Sequence, residues 1–293
     1  MSDFILSCCS TADLSKEHFL NRDIQYICFH YSLNGVSYLD DLGESMSFDE
    51  FYHQMEQGAE TKTSQVNVDE FIQYFRQLLK EGKDIIHVSL SSGLSGVINS
   101  AYMAKERVLE EYPERQITII DSLAASSGYG LLMDKLADLR DEGFEYQQVI
   151  DWAEIHKLEL NHWFFSMDLS FYVKGGRISK TSGFVGNLLN IIPLLNMGEQ
   201  GELVPYAKIR GKKKVVKTIV EEMTTHANSG LAYADKCYIS HSACLEDAKR
   251  VAELVEETFP HLKEKVEINS IGTTIGSHTG PNTVALFFWG DQR

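Results

Sequence analysis

The 293-residue chain has few cysteines, and they follow no pairing pattern. There are five, an odd number, with no CxxC motif, and Cys8 and Cys9 are adjacent. This arrangement predicts neither a disulfide framework nor a tetrahedral zinc site. We therefore expect reduced thiols, most of them buried.

Targeting and membrane segments are also missing. The amino terminus has Asp3 and a short apolar run, not the basic start and long apolar stretch of a signal peptide. The most apolar segment, residues 188–197, is interrupted by Asn190, Pro193 and Asn196 and is too short to cross a bilayer. We expect a cytoplasmic protein with no stable membrane insertion.

Positive charge is scarce. The chain has 27 Lys and Arg against 42 Asp and Glu, which gives a formal net charge of −15. Nucleic acids and anionic membranes attract broad positive fields, so this balance argues against both as partners. A content of 43% hydrophobic and 24% charged residues is typical of an ordered globular protein.

The common enzyme signatures are absent as well. Residues 93–97 (GLSGV) resemble a nucleophile elbow but lack its second glycine at the required spacing, and the glycines of residues 128–130 are not completed to GxGxxG. Neither GxxxxGK[ST] nor HExxH occurs. These absences argue against a nucleotide-dependent or zinc enzyme and predict no cofactor, although distant segments can still assemble a site.

The first half of the chain alternates predicted strands with predicted helices. The strands are predicted at residues 4–7, 24–29, 85–90 and 117–120. A helix from Val68 is indicated by its apolar spacing, with Asn67 as N-cap, Glu70 three residues on and Gly82 as a stop. Further helices are predicted from near Ser95 and over residues 128–139. This alternation predicts an α/β fold with a parallel sheet covered on both faces.

The second half has a different pattern. A helix over residues 145–158 precedes an apolar run at 163–167 and a strand at 203–209. Helices are predicted at Lys212–His226 and Leu245–Thr258, and the chain end is predicted to be strand, glycine-rich turn, strand. We place a domain boundary near residue 160. It divides an amino-terminal α/β domain (1–160) from a smaller carboxyl-terminal α/β domain (161–293).

Small polar clusters follow the predicted strands. They are Thr63-Ser64-Gln65, the loop of residues 91–96 (SSGLSG) and Asp121-Ser122. Ligands of open α/β sheets bind beyond the carboxyl ends of the strands, and a helix start with hydroxyl groups suits an anion. Ser95 could therefore donate to a carboxylate or phosphate. The alternatives are that Ser95 only caps its helix and that Thr63 and Ser64 form a surface turn.

Three further features have both a structural and a functional interpretation. His278 lies among glycines, which indicates a close backbone approach, although a single histidine is usually structural. Arg177 follows paired glycines and is either a surface residue or a charge clamp for an anion. A basic run is either a water-exposed face or a docking patch for an acidic or phosphate-bearing partner. That run consists of Lys208, Arg210, Lys212, Lys213, Lys214 and Lys217.

Taken in order, these motifs resemble the DegV family over nearly the whole chain. The matching segments are residues 10–14 (STADL), 63–65 (TSQ), 91–96 (SSGLSG), 121–122 (DS), 174–178 (KGGRI) and 275–281 (IGSHTGP). The resemblance implies two α/β domains with a fatty acid in a tunnel at their junction. It also implies a carrier that holds the fatty acid while a separate kinase phosphorylates its carboxylate, so that the chain itself is not an enzyme.

The resemblance also implies roles for particular residues. Thr63, Ser95 and His278 would bind the fatty-acid carboxylate. Three residues would support them, namely Arg177, Ser64 and Ser92. The surface that meets the kinase would include Lys208, Arg210 and Lys212. The competing hypothesis is an enzyme or enzyme subunit, similar to dihydroxyacetone kinase domains, that uses His278 and the seryl cluster on a small phosphorylated or carbonyl substrate.

Overall fold

The computed structural model describes residues 4–180 and 190–293. The strands are β1 (Phe4–Cys9), β2 (Ile24–Ile27), β3 (His30–Leu33), β4 (Val36–Leu39), β5 (Thr61–Ser64), β6 (Asp84–Ser89), β7 (Ile117–Asp121), β8 (Leu160–Ser166), β9 (Ile191–Met197), β10 (Leu203–Arg210), β11 (Tyr238–His241), β12 (Glu267–Ser270) and β13 (Thr283–Trp289). The helices are α1 (Lys16–Asn21), α2 (Phe48–Glu56), α3 (Val68–Leu79), α4 (Val97–Glu111), α5 (Ser126–Asp141), α6 (Tyr146–His156), α7 (Ser170–Lys174), α8 (Lys212–His226), α9 (Leu245–Thr258) and α10 (Thr273–Thr279).

The amino-terminal half contains the predicted parallel sheet. Its strands lie in the order β2-β1-β6-β7, and all three pairings are parallel. All six residues of β1 are buried, which agrees with a parallel strand covered on both faces. Helix α3 begins where the sequence predicts, because Asn67 and Glu70 each accept a hydrogen bond from the other's backbone N–H.

A six-stranded mixed sheet dominates the second half. Its order is β10-β9-β8-β13-β11-β12, and only β11 and β12 pair in parallel. Helices α8 and α9 have the predicted bounds. Strand β9 lies within the segment that the sequence analysis considered only as a possible membrane span, and residues 188 and 189 of that segment are outside the described residues.

Sequence reasoning missed a third sheet. Strands β4, β3 and β5 form it in that order, and both pairings are antiparallel. These strands have four residues each, and β5 alternates half-buried and exposed positions. Such short, polar segments give little periodic signal. The consequence is functional, because Thr63 lies on β5.

The end of the chain corrects another prediction. Strands β12 and β13 are present, but the segment between them is helix α10 and not a glycine-rich turn. Gly276 disfavours a helix by about 1 kcal/mol relative to alanine. It is required because a Cβ there would lie 2.3 Å from the Tyr52 hydroxyl oxygen. Close packing against Tyr52 therefore explains a glycine that the sequence analysis took as a turn signal.

Helix α5 connects the two large sheets. It packs against β1 of the first sheet and against β8, β11 and β13 of the second. The second sheet begins at Leu160, beside the predicted boundary, although the division into two domains stays a prediction. In residues 4–180 and 190–293, no helix has the length and apolar content that crossing a membrane requires.

Candidate functional site

A cavity of about 470 Å³ lies where the three sheets approach one another. Most of its wall is apolar, and the apolar lining includes Phe29, Leu90, Leu94, Phe164, Met197, Leu203, Ile271, Ile275, Ala285 and Phe287. A group of polar residues also lines it, namely Thr63, Ser64, Gln65, Ser95, Arg177 and His278. The remaining polar lining includes Ser126, His162, Thr274, Thr279 and Thr283. Its volume and its mixture of apolar wall and clustered polar groups are typical of a small-molecule site.

Thr63 and His278 form the centre of the polar group. The Thr63 Oγ1 and His278 Nε2 atoms are 2.7 Å apart. Burial, followed by the charge of Arg177, lowers the pKa of His278 to about 4, so its ring is neutral near pH 7. The Arg177 Nη1 atom lies 3.4 Å from His278 Nδ1.

The contact with Arg177 determines which ring nitrogen of His278 carries the proton. Arginine has donors and no acceptor, so Nδ1 is the acceptor in this contact. The proton is then on Nε2, and the ring donates to Thr63 Oγ1. This assignment leaves the Thr63 hydroxyl proton available to a ligand in the cavity.

Backbone carbonyl groups hold Arg177 in place. Its Nε and Nη2 atoms donate to the Leu94 carbonyl at 3.2 and 3.0 Å, and Nη1 donates to the Gly175 carbonyl at 2.5 Å. No carboxylate pairs with this half-buried guanidinium among the described residues. Burial lowers the pKa of Arg177, yet an arginine keeps its charge near pH 7. A positive charge without an acidic partner favours an anionic ligand.

The glycine before this arginine has a steric reason. A Cβ at Gly175 would lie 2.3 Å from His278 Nδ1. Any side chain at this position would displace the imidazole ring. Gly175 therefore allows the chain to pass close to His278, whereas a Cβ at Gly176 would meet nothing within 4 Å.

Ser95 comes just before helix α4 and also faces the cavity. Its Oγ accepts a hydrogen bond from the Val97 backbone N–H at 3.2 Å, but the N-cap of α4 is Gly96, so the alternative that Ser95 is the N-cap is wrong. As a donor, the same hydroxyl makes only a long contact of 3.5 Å, to Gln65 Oε1, among the described residues. The N-cap residue Gly96 offers no side chain, and it lines the cavity beside Ser95. The positive end of α4 therefore points to this polar group.

The two other seryl residues lie differently. Ser64 lines the cavity from an exposed position at the end of β5. Ser92 is exposed and lies outside the cavity lining, and its backbone N–H donates to Asp121 Oδ1 at 3.1 Å. The structure thus brings Thr63, Ser64, Ser95, Arg177 and His278 together and leaves Ser92 in the supporting loop.

Several lining residues gave no signal in the sequence. His162 is buried within β8, where burial lowers its pKa well below the ordinary value, and Ser126 begins α5. Thr274 precedes His278 by one helical turn, on the same face of α10. Polar residues inside apolar strands and short helices resemble ordinary core positions until the chain is folded.

The three predicted docking residues lie near one edge of the six-stranded sheet. Lys208 and Arg210 are exposed and alternate on β10, the edge strand, and Lys212 begins α8. The Lys212 Nζ atom is 2.7 Å from Asp247 Oδ2. We refer to Lys208, Arg210 and Lys212 as the basic edge.

Comparison with known proteins agrees with this architecture. The family model described as "Uncharacterised protein, DegV family" matches residues 9–291. A DegV domain-containing protein of Clostridium perfringens is 36% identical over 293 residues, covering 100% of this chain and 99% of that protein.

Two solved structures are similar over the full length. A DegV lipid binding protein of Thermotoga maritima is 27% identical, with a TM-score of 0.84 and 100% of both chains covered. The Fatty Acid Kinase (Fak) B3 protein of Streptococcus pneumoniae, loaded with linoleic acid, is 25% identical, with a TM-score of 0.83 and coverage of 99% of this chain and 100% of that one. The chain belongs to the DegV family.

Proposed function

We propose that the protein is a carrier that binds a long-chain fatty acid, with the acyl chain in the cavity and the carboxylate at the polar group. One observation carries the proposal. The wall of the cavity is mainly apolar, and the hydroxyls of Thr63 and Ser95, the start of α4 and Arg177 lie together in its lining. Arg177 has no acidic partner among the described residues. The linoleic acid in the Streptococcus pneumoniae relative supports this choice of ligand.

Each polar residue has a distinct task in this proposal. Thr63 and Ser95 donate their hydroxyl protons to the carboxylate oxygens, while His278 fixes the orientation of the Thr63 hydroxyl. Arg177 acts through its charge and its contact with His278. Its Nε, Nη1 and Nη2 atoms already donate to the Leu94 and Gly175 carbonyl groups or to the His278 ring. The start of α4 adds a favourable dipole.

The acyl chain supplies most of the affinity. Burial of a methylene group stabilises by about 0.8 kcal/mol, so a sixteen-carbon chain gains on the order of 10 kcal/mol before the costs of ordering. The polar group then determines which end of the ligand faces outward. A carrier needs this division, because the carboxylate must stay accessible to the next protein.

The enzyme alternative uses His278 and the seryl cluster of residues 91–96. The hydroxyl that His278 contacts in the structure is instead that of Thr63, at 2.7 Å, and this pair resembles a nucleophile with its base. A base must accept a proton from the hydroxyl, however. In the tautomer set by Arg177, the Nε2 atom of His278 already carries a proton and donates to Thr63. The mainly apolar cavity also suits a small phosphorylated or carbonyl substrate poorly. Both observations favour the carrier.

We further propose that the carrier presents its carboxylate to a fatty acid kinase that docks on the basic edge. The Streptococcus pneumoniae relative bears the name of such a kinase system. On a chain of net charge −15, the exposed Lys208 and Arg210 offer a local positive surface to an acidic partner. A partner that uses ATP would place the protein in the cytoplasm.

Mass spectrometry of the purified protein under native conditions tests the binding proposal. We expect a stoichiometric mass shift that lipid extraction resolves into one or two fatty acids. If the purified protein contains no lipid, it is then incubated with palmitate and with oleate. If neither binds, the carrier proposal is wrong, and small anionic ligands become the next candidates.

A further inference from the structure

Helix α10, which carries His278, begins against a buried aspartate from the other end of the chain. Asp40 follows β4 and is 1% exposed. Its Oδ1 accepts two hydrogen bonds from Thr273, from the backbone N–H at 3.2 Å and from the hydroxyl at 2.7 Å. Its Oδ2 accepts from the Ser10 hydroxyl at 3.0 Å. Asp40 thus caps α10 across 233 residues of sequence.

A second buried aspartate lies beside the same helix start. Asp13 is 4% exposed, and its Oδ2 accepts from the Ser126 hydroxyl at 2.5 Å. A Cβ built on Gly272 would lie 2.5 Å from Asp13 Oδ1 and 3.4 Å from Asp40 Oδ1. The two carboxyl groups therefore enclose the backbone at Gly272. Burial raises the pKa of Asp13 well above its usual value, and Asp40 adds to the increase, so the pair avoids holding two charges.

Tyr52 fixes the same helix from a third side. Its hydroxyl donates to the Ile271 carbonyl at 2.7 Å, and its ring lies against Gly276. All three anchors come from the amino-terminal half. They hold a helix of seven residues that contains a glycine and has little stability of its own.

The far end of α10 depends on these anchors. Thr274, Ile275 and His278 line the cavity, and His278 lies about 7 Å along the axis from Thr273. A small tilt at the anchored end would break the 2.7 Å contact between His278 and Thr63. The anchors and the polar group are therefore mechanically coupled through one short helix.

We propose that Asp40, assisted by Asp13, is a positioning residue for ligand binding: it holds the start of α10 so that His278, at the other end, orients the Thr63 hydroxyl toward the carboxylate. This inference depends on the proposed fatty-acid site. It assigns a function to two buried carboxylates that do not line the cavity.

Substitutions of Asp40 test the inference. Asp40→Ala removes both bonds to Thr273, and we expect palmitate to dissociate about tenfold more readily. Asp40→Asn keeps an oxygen that accepts both bonds, so it should bind palmitate like the wild type. Thr273→Val removes only the hydroxyl bond and provides a milder variant if Asp40→Ala does not fold. The expected order of affinity is wild type and Asp40→Asn, then Thr273→Val, then Asp40→Ala.

Two further measurements separate positioning from a loss of stability. Asp134→Asn is the matched control, because Asp134 is also 1% exposed and pairs with Lys236 and Arg22 away from the cavity lining. It should lower the melting temperature and leave palmitate affinity unchanged. In addition, NMR titration should report a higher pKa for the His278 ring in Asp40→Ala or Thr273→Val, since the ring leaves its buried position beside Arg177.

The possible results distinguish the two proposals. A wild-type protein that takes up no fatty acid contradicts the proposed function. A wild type that binds palmitate, with Asp40→Ala and Thr273→Val equally tight and His278 unchanged, overturns the positioning role alone. Equal weakening in Asp134→Asn also overturns it, because the effect would then follow from general stability.

Discussion

The Thr63 hydroxyl and the His278 ring are 2.7 Å apart, although 215 residues separate them in the chain. Thr63 comes from a short strand of the smallest sheet, and His278 comes from the short helix that connects β12 and β13 of the largest. The contact exists only because β5 and α10 pack against each other. Because a neutral His278 donates to Thr63, the threonine hydroxyl becomes a directed donor at the polar part of an apolar cavity.

Loss of either hydroxyl donor should weaken binding. For Thr63→Val and for Ser95→Ala we expect palmitate affinity to fall by about 2 kcal/mol each, or roughly thirtyfold, because each variant removes one hydrogen bond to a charged group. Isothermal titration with palmitate measures the change. Ser15→Ala is the control, because the Ser15 hydroxyl also accepts a backbone hydrogen bond at a helix start, that of α1, but lies outside the cavity lining. Unchanged affinity in both test variants would remove these residues from the carboxylate site.

Replacement of Arg177 should discriminate by ligand charge. In Arg177→Leu we expect palmitate to bind about tenfold more weakly and hexadecanol, which has no charge, to bind as before. The reason is that Arg177 balances a carboxylate by its charge, while carbonyl groups already take its donors. Displacement of a fluorescent fatty acid measures both ligands, and the exposed Arg107→Leu is the control. Equal losses for both ligands would instead indicate a packing role.

Protonation of His278 should make the lipid-free protein less stable in acid. Burial and Arg177 lower its pKa in the folded chain to about 4, from an ordinary value of 6.5. The unfolded chain therefore binds a proton first as the pH falls. The contribution of His278 to stability is complete above pH 6.5 and is lost as the pH falls toward 4.

Thermal unfolding of His278→Gln at about pH 7 and about pH 4.5 checks this sign. On going from the higher to the lower pH, the melting temperature of the variant should fall less than that of the wild type, because glutamine does not titrate. Exposed His261→Gln serves as the comparison and should behave like the wild type. Identical losses in wild type and His278→Gln would contradict the assigned direction.

Charge reversal on the basic edge should separate docking from binding. In Lys208→Glu and Arg210→Glu we expect normal retention of palmitate but slower phosphorylation of the bound fatty acid by a fatty acid kinase with ATP, because acidic groups on the kinase would be repelled. Lys263→Glu is the matched control, since it precedes β12, at the opposite edge of the same sheet. If all three variants are phosphorylated at the wild-type rate, the kinase docks elsewhere.

Local sequence patterns determined much of the fold. Helices α8 and α9 have the predicted bounds, and α3 begins at the predicted cap, because apolar periodicity and capping depend on residues within a few positions of each other. The parallel sheet followed from strand–helix alternation for the same reason. The grouping of Thr63, Ser95, Arg177 and His278 came from the resemblance to a family, since no spacing rule connects residues so far apart.

Tertiary packing decided the remainder. The sequence could not identify α10 as a helix, because Gly276 disfavours helices, and its close packing against Tyr52 is visible only in the folded chain. Nor did it assign Asp40, which is 233 residues from the backbone it caps. The sequence by itself thus determined most helices and strands and which polar side chains the chain contains. Long-range packing decided that the Thr63 hydroxyl contacts the His278 ring and that the Asp40 carboxylate contacts Thr273. Hydrogen bonds act over a few ångströms, and only the folded chain brings these groups within that distance.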